Sequence, residues 1–248
     1  MEKLNISDKI KKNIQDFSQR LKDIYQEGLI SVILYGSAAS GEFVDSHSNL
    51  NVLAVLNNVD LNNLKKAAGV VNKFPMINPL FLTEEYIASS TDIFPIEFLD
   101  MRENYLVLYG KDVLKNINIE TRNLRFQCEQ ELKAKLLNLR QLYLRTHRNN
   151  TALRNLLFKS FTSILHILRN VLRLKGKQPP YVKKDILKEL SLEFKIDSEA
   201  WGRILSAKNK QIKLSNEDIQ DLFINFVSEL EKIVEIVDKS RPAAAGAG

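Results

Sequence analysis

Cysteine is nearly absent. Cys128 is the one thiol in 248 residues, beside one tryptophan and three histidines. A single thiol excludes an internal disulfide framework and a cysteine-based zinc site. No apolar run approaches the ~20 residues that a bilayer-spanning helix needs, so no membrane partner is expected. The opening MEKLNISDKIKK is charged and amphipathic and lacks the apolar segment of a secretory signal. A cytoplasmic location follows as the expectation. Glycine is scarce, and it sits at breaks: Gly28 ends a helical pattern, Gly36 ends a strand pattern, and Gly176 precedes Pro179-Pro180. What remains is ordinary for a globular chain, 44% hydrophobic and 27% charged. Its length suits one large domain or two modest ones.

The net charge of +6 is unevenly spread. Residues 120–213 carry 21 Lys and Arg against 8 Asp and Glu, and both flanks are acidic. Such a block favours phosphate-bearing partners, a nucleotide or RNA. The competing reading is a set of solvated helix faces. A polycationic acceptor would prefer an acidic cleft and fits this segment poorly.

Periodicity divides the chain. Residues 6–27 read as an amphipathic helix, 30–35 and 50–56 as strands, 60–74 as a helix and 77–82 as a strand. Pro79 points to an edge position for the last of these. Thr83 starts a short helix, and FPIEFLD at 94–100 reads as another strand. Beyond residue 119 the spacing turns helical over 120–146, 151–175, 183–195 and 215–239. Ser215 with Asp218 forms a capping-box pattern at the start of the last. The expected fold is an α/β domain with a mixed sheet flanked by helices over 1–118, then an all-helical bundle over 119–240. RPAAAGAG at 241–248 reads as a flexible tail.

The stretch LYGSAASGEFVDSHSNLNVLAVL, residues 34–56, carries the most specific signal. An apolar strand breaks at Gly36-Ser37, Gly41 follows, and Ser48-Asn49-Leu50-Asn51 opens the next strand. This pattern resembles the core motif of the polymerase-β-like nucleotidyltransferase superfamily. In outline the chain resembles that superfamily's bacterial two-domain members, the kanamycin- and streptomycin-modifying nucleotidyltransferases. The resemblance implies transfer of a nucleoside monophosphate from an NTP, ATP foremost, to a hydroxyl acceptor. It implies Mg²⁺ as cofactor, with Gly36, Ser37 and Ser48 holding the phosphates.

The chemistry of such a motif is plain. Glycine permits a tight turn and close backbone approach to a ligand. Residues i and i+2 of a strand share a face, and two aspartates there hold Mg²⁺. A third carboxylate from a neighbouring strand completes the set. Here Asn49 and Asn51 stand in the two aspartate positions. An amide offers a neutral oxygen, and Mg²⁺ is anchored mainly through carboxylates. The expected consequence is weak or lost metal binding and an impaired or inactive enzyme. The alternatives are a nucleotide- or RNA-binding pseudoenzyme and an antitoxin-like module that docks a protein partner through the bundle. Glu97 is the preferred third acidic residue, aimed by the strand alternation of 94–100, with Asp100 second. Glu42, Asp45 and His47 read as loop surface.

Further candidates lie in the helical half. Glu129 or Glu131 could serve as general base near the domain junction, as the resemblance implies. Arg122, Arg125 and Lys133 could meet phosphate. Arg140 and His147 loosely resemble the Arg…His motif of HEPN ribonucleases. Trp201 and Tyr181 could line a cleft, although aromatic residues in bundles are usually core.

Overall fold

The computed structural model describes residues 4, 6–40 and 49–239. The chain forms two compact units, Met1–Glu120 and Thr121–Gly248. In the first, a mixed sheet is flanked by helices; the second is an all-helical bundle.

The first unit opens with α1 (Asp8–Tyr25), which buries Ile10, Ile14, Phe17 and Leu21 at helical spacing. Then follow β1 (Leu29–Tyr35), the single turn α2 (Ser37–Ser40), β2 (Leu50–Leu56), α3 (Leu61–Val71), β3 (Ile77–Leu82), α4 (Glu84–Ser90), α5 (Pro95–Glu103) and β4 (Tyr105–Gly110). The sheet order is β3-β2-β1-β4. β2 and β3 run parallel, and the other pairs are antiparallel. β1 and β2 are central and apolar on both faces, as strands covered on two sides must be. Val32, Leu34, Val52 and Ala54 pack with α1 and α3. Ile33, Leu53 and Val55 face Ile87 of α4, Phe98 and Met101 of α5, and Leu114. Pro79 lies in the edge strand β3, where its missing N–H is tolerated.

Residues 94–100 are not a strand. Pro95 takes the first position of α5, where its fixed φ suits a helix and its missing N–H costs nothing. The alternation of Phe94, Ile96 and Phe98 imitates a strand, but Phe94 is exposed while Pro95, Phe98 and Met101 are buried at a spacing of three. The strand that flanks β1 is instead Tyr105–Gly110.

The second unit comprises α6 (Thr121–Thr146), α7 (Asn150–Leu174), α8 (Lys183–Phe194), α9 (Ser198–Lys208) and α10 (Asn216–Lys239). α9 was not expected, because Gly202 dilutes its pattern. Its N-terminus is held by the Asp197 carboxylate, which accepts from the N–H groups of Glu199 and Ala200. Trp201 on α9 is fully buried, with its ring 5.0 Å from Phe226 and 5.8 Å from Phe161. It is core, not a cleft wall. Tyr181 lies under the guanidinium of the buried Arg169, 3.8 Å from the ring centre, and Arg169 also donates to the Pro180 carbonyl. That pair pins the Gly176–Pro180 break against α7.

The start of α10 is a reciprocal cap. The Asp218 N–H donates to Ser215 Oγ at 3.0 Å, and the Ser215 N–H donates to the Asp218 carboxylate at 2.9 Å. Arg203 of α9 pairs with the same carboxylate. The Ser215 hydrogen bonds, and then Arg203, lower the Asp218 pKa from 3.8 to about 2. A depressed carboxylate stabilises the fold above its unfolded pKa, and that contribution disappears as pH falls through the folded value. Asp218→Ala should therefore lower Tm at pH 7, and its Tm should converge with the parent's between pH 4 and 2. Thermal melts across that range check this; a gap unchanged down to pH 2 would remove the charged cap from the account.

Candidate functional site

The site is assembled at one end of the sheet. β1 ends at Tyr35, and Gly36 turns the chain with φ +79, a left-handed conformation natural to glycine. The Gly36 N–H donates to the Asn104 carbonyl at 3.1 Å, just before β4. Its carbonyl accepts from Ala39 at 2.9 Å and Ser40 at 3.0 Å, which closes α2. Ser37 is the first residue of that turn and is half-buried.

β2 enters beside this turn. Its Leu50 is fully buried, and the Leu50 N–H donates to the Met76 carbonyl at 2.8 Å. Asn49 and Asn51 flank Leu50 and share the opposite face by strand alternation. Asn49 is exposed and Asn51 half-buried. Asn51 pairs with Tyr35 on one side and Asn78 on the other, and Tyr35 pairs with Tyr105. The sheet end thus presents a row: Asn78, Asn51, Tyr35, Tyr105. Directly paired side chains lie about 5 Å apart. The Asn51 amide nitrogen is 3.2 Å from the point a Cβ on Gly36 would occupy. A methyl there would press on that amide.

The row is polar and neutral. Burial pushes the Tyr35 phenol up. Burial, then the hydrogen bond to Asp112 at 2.9 Å, pushes Tyr105 up. Both stay protonated at neutral pH. Among the described residues no group of His, Cys, Asp and Glu is placed to hold a metal ion. Among the described residues, the side chains that the register places on this face at 51 and 78 are amides, and an amide pair does not fit Mg²⁺, which wants hard anionic oxygen.

The helix at 95–103 changes the setting of two expected residues. Glu97 lies in the first turn of α5 and is exposed, so the strand alternation that would have aimed it at the site does not exist. Asp100 is half-buried on the same helix. The neighbouring-strand residue in register with Asn51 is Asn78, which sequence reading missed. The available signal was the repeat of an apolar residue followed by asparagine, Leu50-Asn51 and Ile77-Asn78, at the start of both strands. Gly41, Glu42, Asp45, His47 and Ser48 lie outside the described residues, as does the tail at 241–248.

In the second unit, Glu129 accepts from Arg125 at 2.6 Å and Lys133 at 2.7 Å, and Lys133 also reaches Asp238 at 3.3 Å. These contacts tie α6 to α10 and engage two cations considered for phosphate. Arg122 is exposed. Gln127 contacts Glu131 at 3.4 Å. Arg140 pairs with Glu231 at 2.9 Å, while His147 packs on Tyr143.

The order of an α/β unit followed by a helical bundle has a counterpart among solved structures. The crystal structure of the spectinomycin adenyltransferase AAD(9) from Enterococcus faecialis, solved with ATP and spectinomycin, superposes with a TM-score of 0.59 at 13% identity, covering 89% of this chain and 98% of that one. A nucleotidyltransferase-like protein from Exiguobacterium sibiricum 255-15 aligns with a TM-score of 0.38 at 13% identity, over 90% of this chain and 75% of that one. No protein-family model matches the chain, and no curated protein matches it. At such identity the likeness speaks for fold alone.

Gly36→Ala should destabilise the protein by about 1–3 kcal/mol, through the left-handed φ and the displaced Asn51 amide. Ser37→Ala should change stability by no more than about 0.5 kcal/mol. Urea unfolding of both variants checks the pair. Equal small effects would mean that the turn tolerates a side chain.

Proposed function

We propose that this protein binds the triphosphate of a nucleotide, ATP foremost, at the Gly36-Ser37 turn with little dependence on magnesium, and that it transfers nucleotidyl groups slowly or not at all. The reading is supported by one observation: amides stand at 49 and 51 beside the turn, where the resemblance asks for carboxylates, and a third amide, Asn78, is in register with Asn51 on the neighbouring strand. In an active member a hydroxyl oxygen attacks the α-phosphorus, the bond to the β-phosphate oxygen breaks, and the hydroxyl proton passes to a base. Positioning and charge neutralisation supply nearly all the acceleration. Neutral amides do not recruit the cation that neutralises the leaving pyrophosphate.

The amides serve binding differently. A carboxylate meets phosphate only through a bridging cation, whereas an amide NH₂ donates to a phosphate oxygen directly. The Ser37 hydroxyl adds a further donor. Removing negative charge also lifts repulsion against the incoming triphosphate. The α/β fold shared with an ATP-using adenyltransferase supports the choice of nucleotide. A second reading takes RNA as a ligand of the basic residues of 120–213; binding that falls steeply with salt and ignores changes at Asn51 and Asn78 would favour it.

Calorimetry tests the main reading. The parent should bind ATP with an affinity that shifts by less than about threefold on adding Mg²⁺. The triple variant Asn49→Asp, Asn51→Asp, Asn78→Asp should gain a Mg²⁺ dependence of about tenfold or more, since it restores hard anionic ligands on one face. If the triple variant responds to magnesium no more than the parent, this strand end is not the nucleotide platform.

A further inference from the structure

The two edges of the sheet are guarded differently. β3 carries Pro79, a common device against pairing with another chain. β4 reads Tyr105-Leu106-Val107-Leu108-Tyr109-Gly110, with neither proline nor charge, and among the described residues no strand pairs with its outer side. The bond from the Gly36 N–H to the Asn104 carbonyl fixes the alternation of the ladder. By that alternation the peptide groups of Tyr105 and Val107 turn to the open side.

A groove of about 260 Å³ runs beside this edge, walled by residues 106–108 and by Gln15, Ser18, Gln19 and Lys22 of α1. Ser18 is 5% exposed, and its hydroxyl is buried without a hydrogen-bond partner. A buried polar group without a partner is unusual in a native fold. Lys22 is the charged residue of the lining, held with its ammonium 4.2 Å over the Tyr109 ring.

We propose that the β4 edge receives an extended, acid-bearing segment of a partner protein as an added strand. The open peptide groups take its backbone, and Lys22 pairs with its carboxylate. Strand addition gives affinity through the main chain and specificity through alternate side chains. A second copy of this chain is a poorer occupant. β4 itself, Tyr105–Gly110, carries no acid to pair with Lys22. The inference does not depend on nucleotide binding.

The test is selection of extended peptides of about ten residues from a display library against the whole chain, with amide exchange read by mass spectrometry and NMR. The expected winners are rich in β-branched residues, carry an acidic residue, and slow exchange at Tyr105 and Val107. Lys22→Glu should weaken them about tenfold, and changing the peptide's acid to lysine should restore binding to that variant. Three results would overturn the proposal: no selected peptide protects the β4 amides, Lys22→Glu binds the acidic winners as tightly as the parent, or sedimentation shows a β4-paired dimer without peptide.

Discussion

The Gly36 N–H reaches the Asn104 carbonyl at 3.1 Å while the Asn51 amide rests where a side chain on Gly36 would begin. Three chain segments far apart in sequence meet at one peptide unit because no Cβ separates them. Each contact has a partner consequence. The Asn104 bond starts the β1–β4 ladder, and the seat of Asn51 aligns the start of β2 with the end of β1. The left-handed φ sends the chain into α2 instead of onward as strand. The site is therefore a by-product of how the sheet ends, and its position is set by backbone geometry more than by side-chain packing.

Much of this was legible in the sequence, for physical reasons that differ by element. β1 and β2 read correctly because both faces are buried, so they appear as unbroken apolar runs between turn residues. α1, α6, α7 and α10 are long enough for their apolar stripes to repeat several times. FPIEFLD failed because a span of seven residues fits two periods at once, and the proline that decides between them marks either a strand edge or a helix start. β4 was hidden because it lies at an edge with all of its first five residues half-buried, so it lacks strong contrast. The Leu50-Asn51 and Ile77-Asn78 repeat hints at Asn78 but does not place it. Its place beside Asn51 comes from the register of a parallel pair, and register is a property of the fold that no local pattern encodes.

The basic stretch changes meaning once partners are assigned. Arg125, Lys133, Lys175, Lys177 and Arg203 each meet a carboxylate on the same or an adjoining helix. Exposed pairs of this kind contribute little stability individually. They do consume part of the surplus that a sequence count assigns to ligand binding. The Arg125–Glu129–Lys133 group is better covered than the rest, with the Glu129 side chain 12% exposed. It behaves as a fastener between α6 and α10, with both Glu129 carboxylate oxygens engaged by cations.

The amide row also bears on stability. Carboxylates at 51 and 78 would sit about 5 Å apart, and at an effective dielectric of 20 their repulsion is on the order of 3 kcal/mol. A fold that carries such a pair must be held by a bound cation or must protonate one acid, as crowded carboxylates do. Amides remove that demand, because their NH₂ and carbonyl groups can hydrogen-bond in either direction without charge. The sheet end is then stable without any cation. The end of the sheet therefore carries hydrogen-bonding capacity at 51 and 78 without charge repulsion between the two positions. Neutral side chains at this register cost the sheet no electrostatic strain, so β2 and β3 pair here on backbone hydrogen bonds and packing alone.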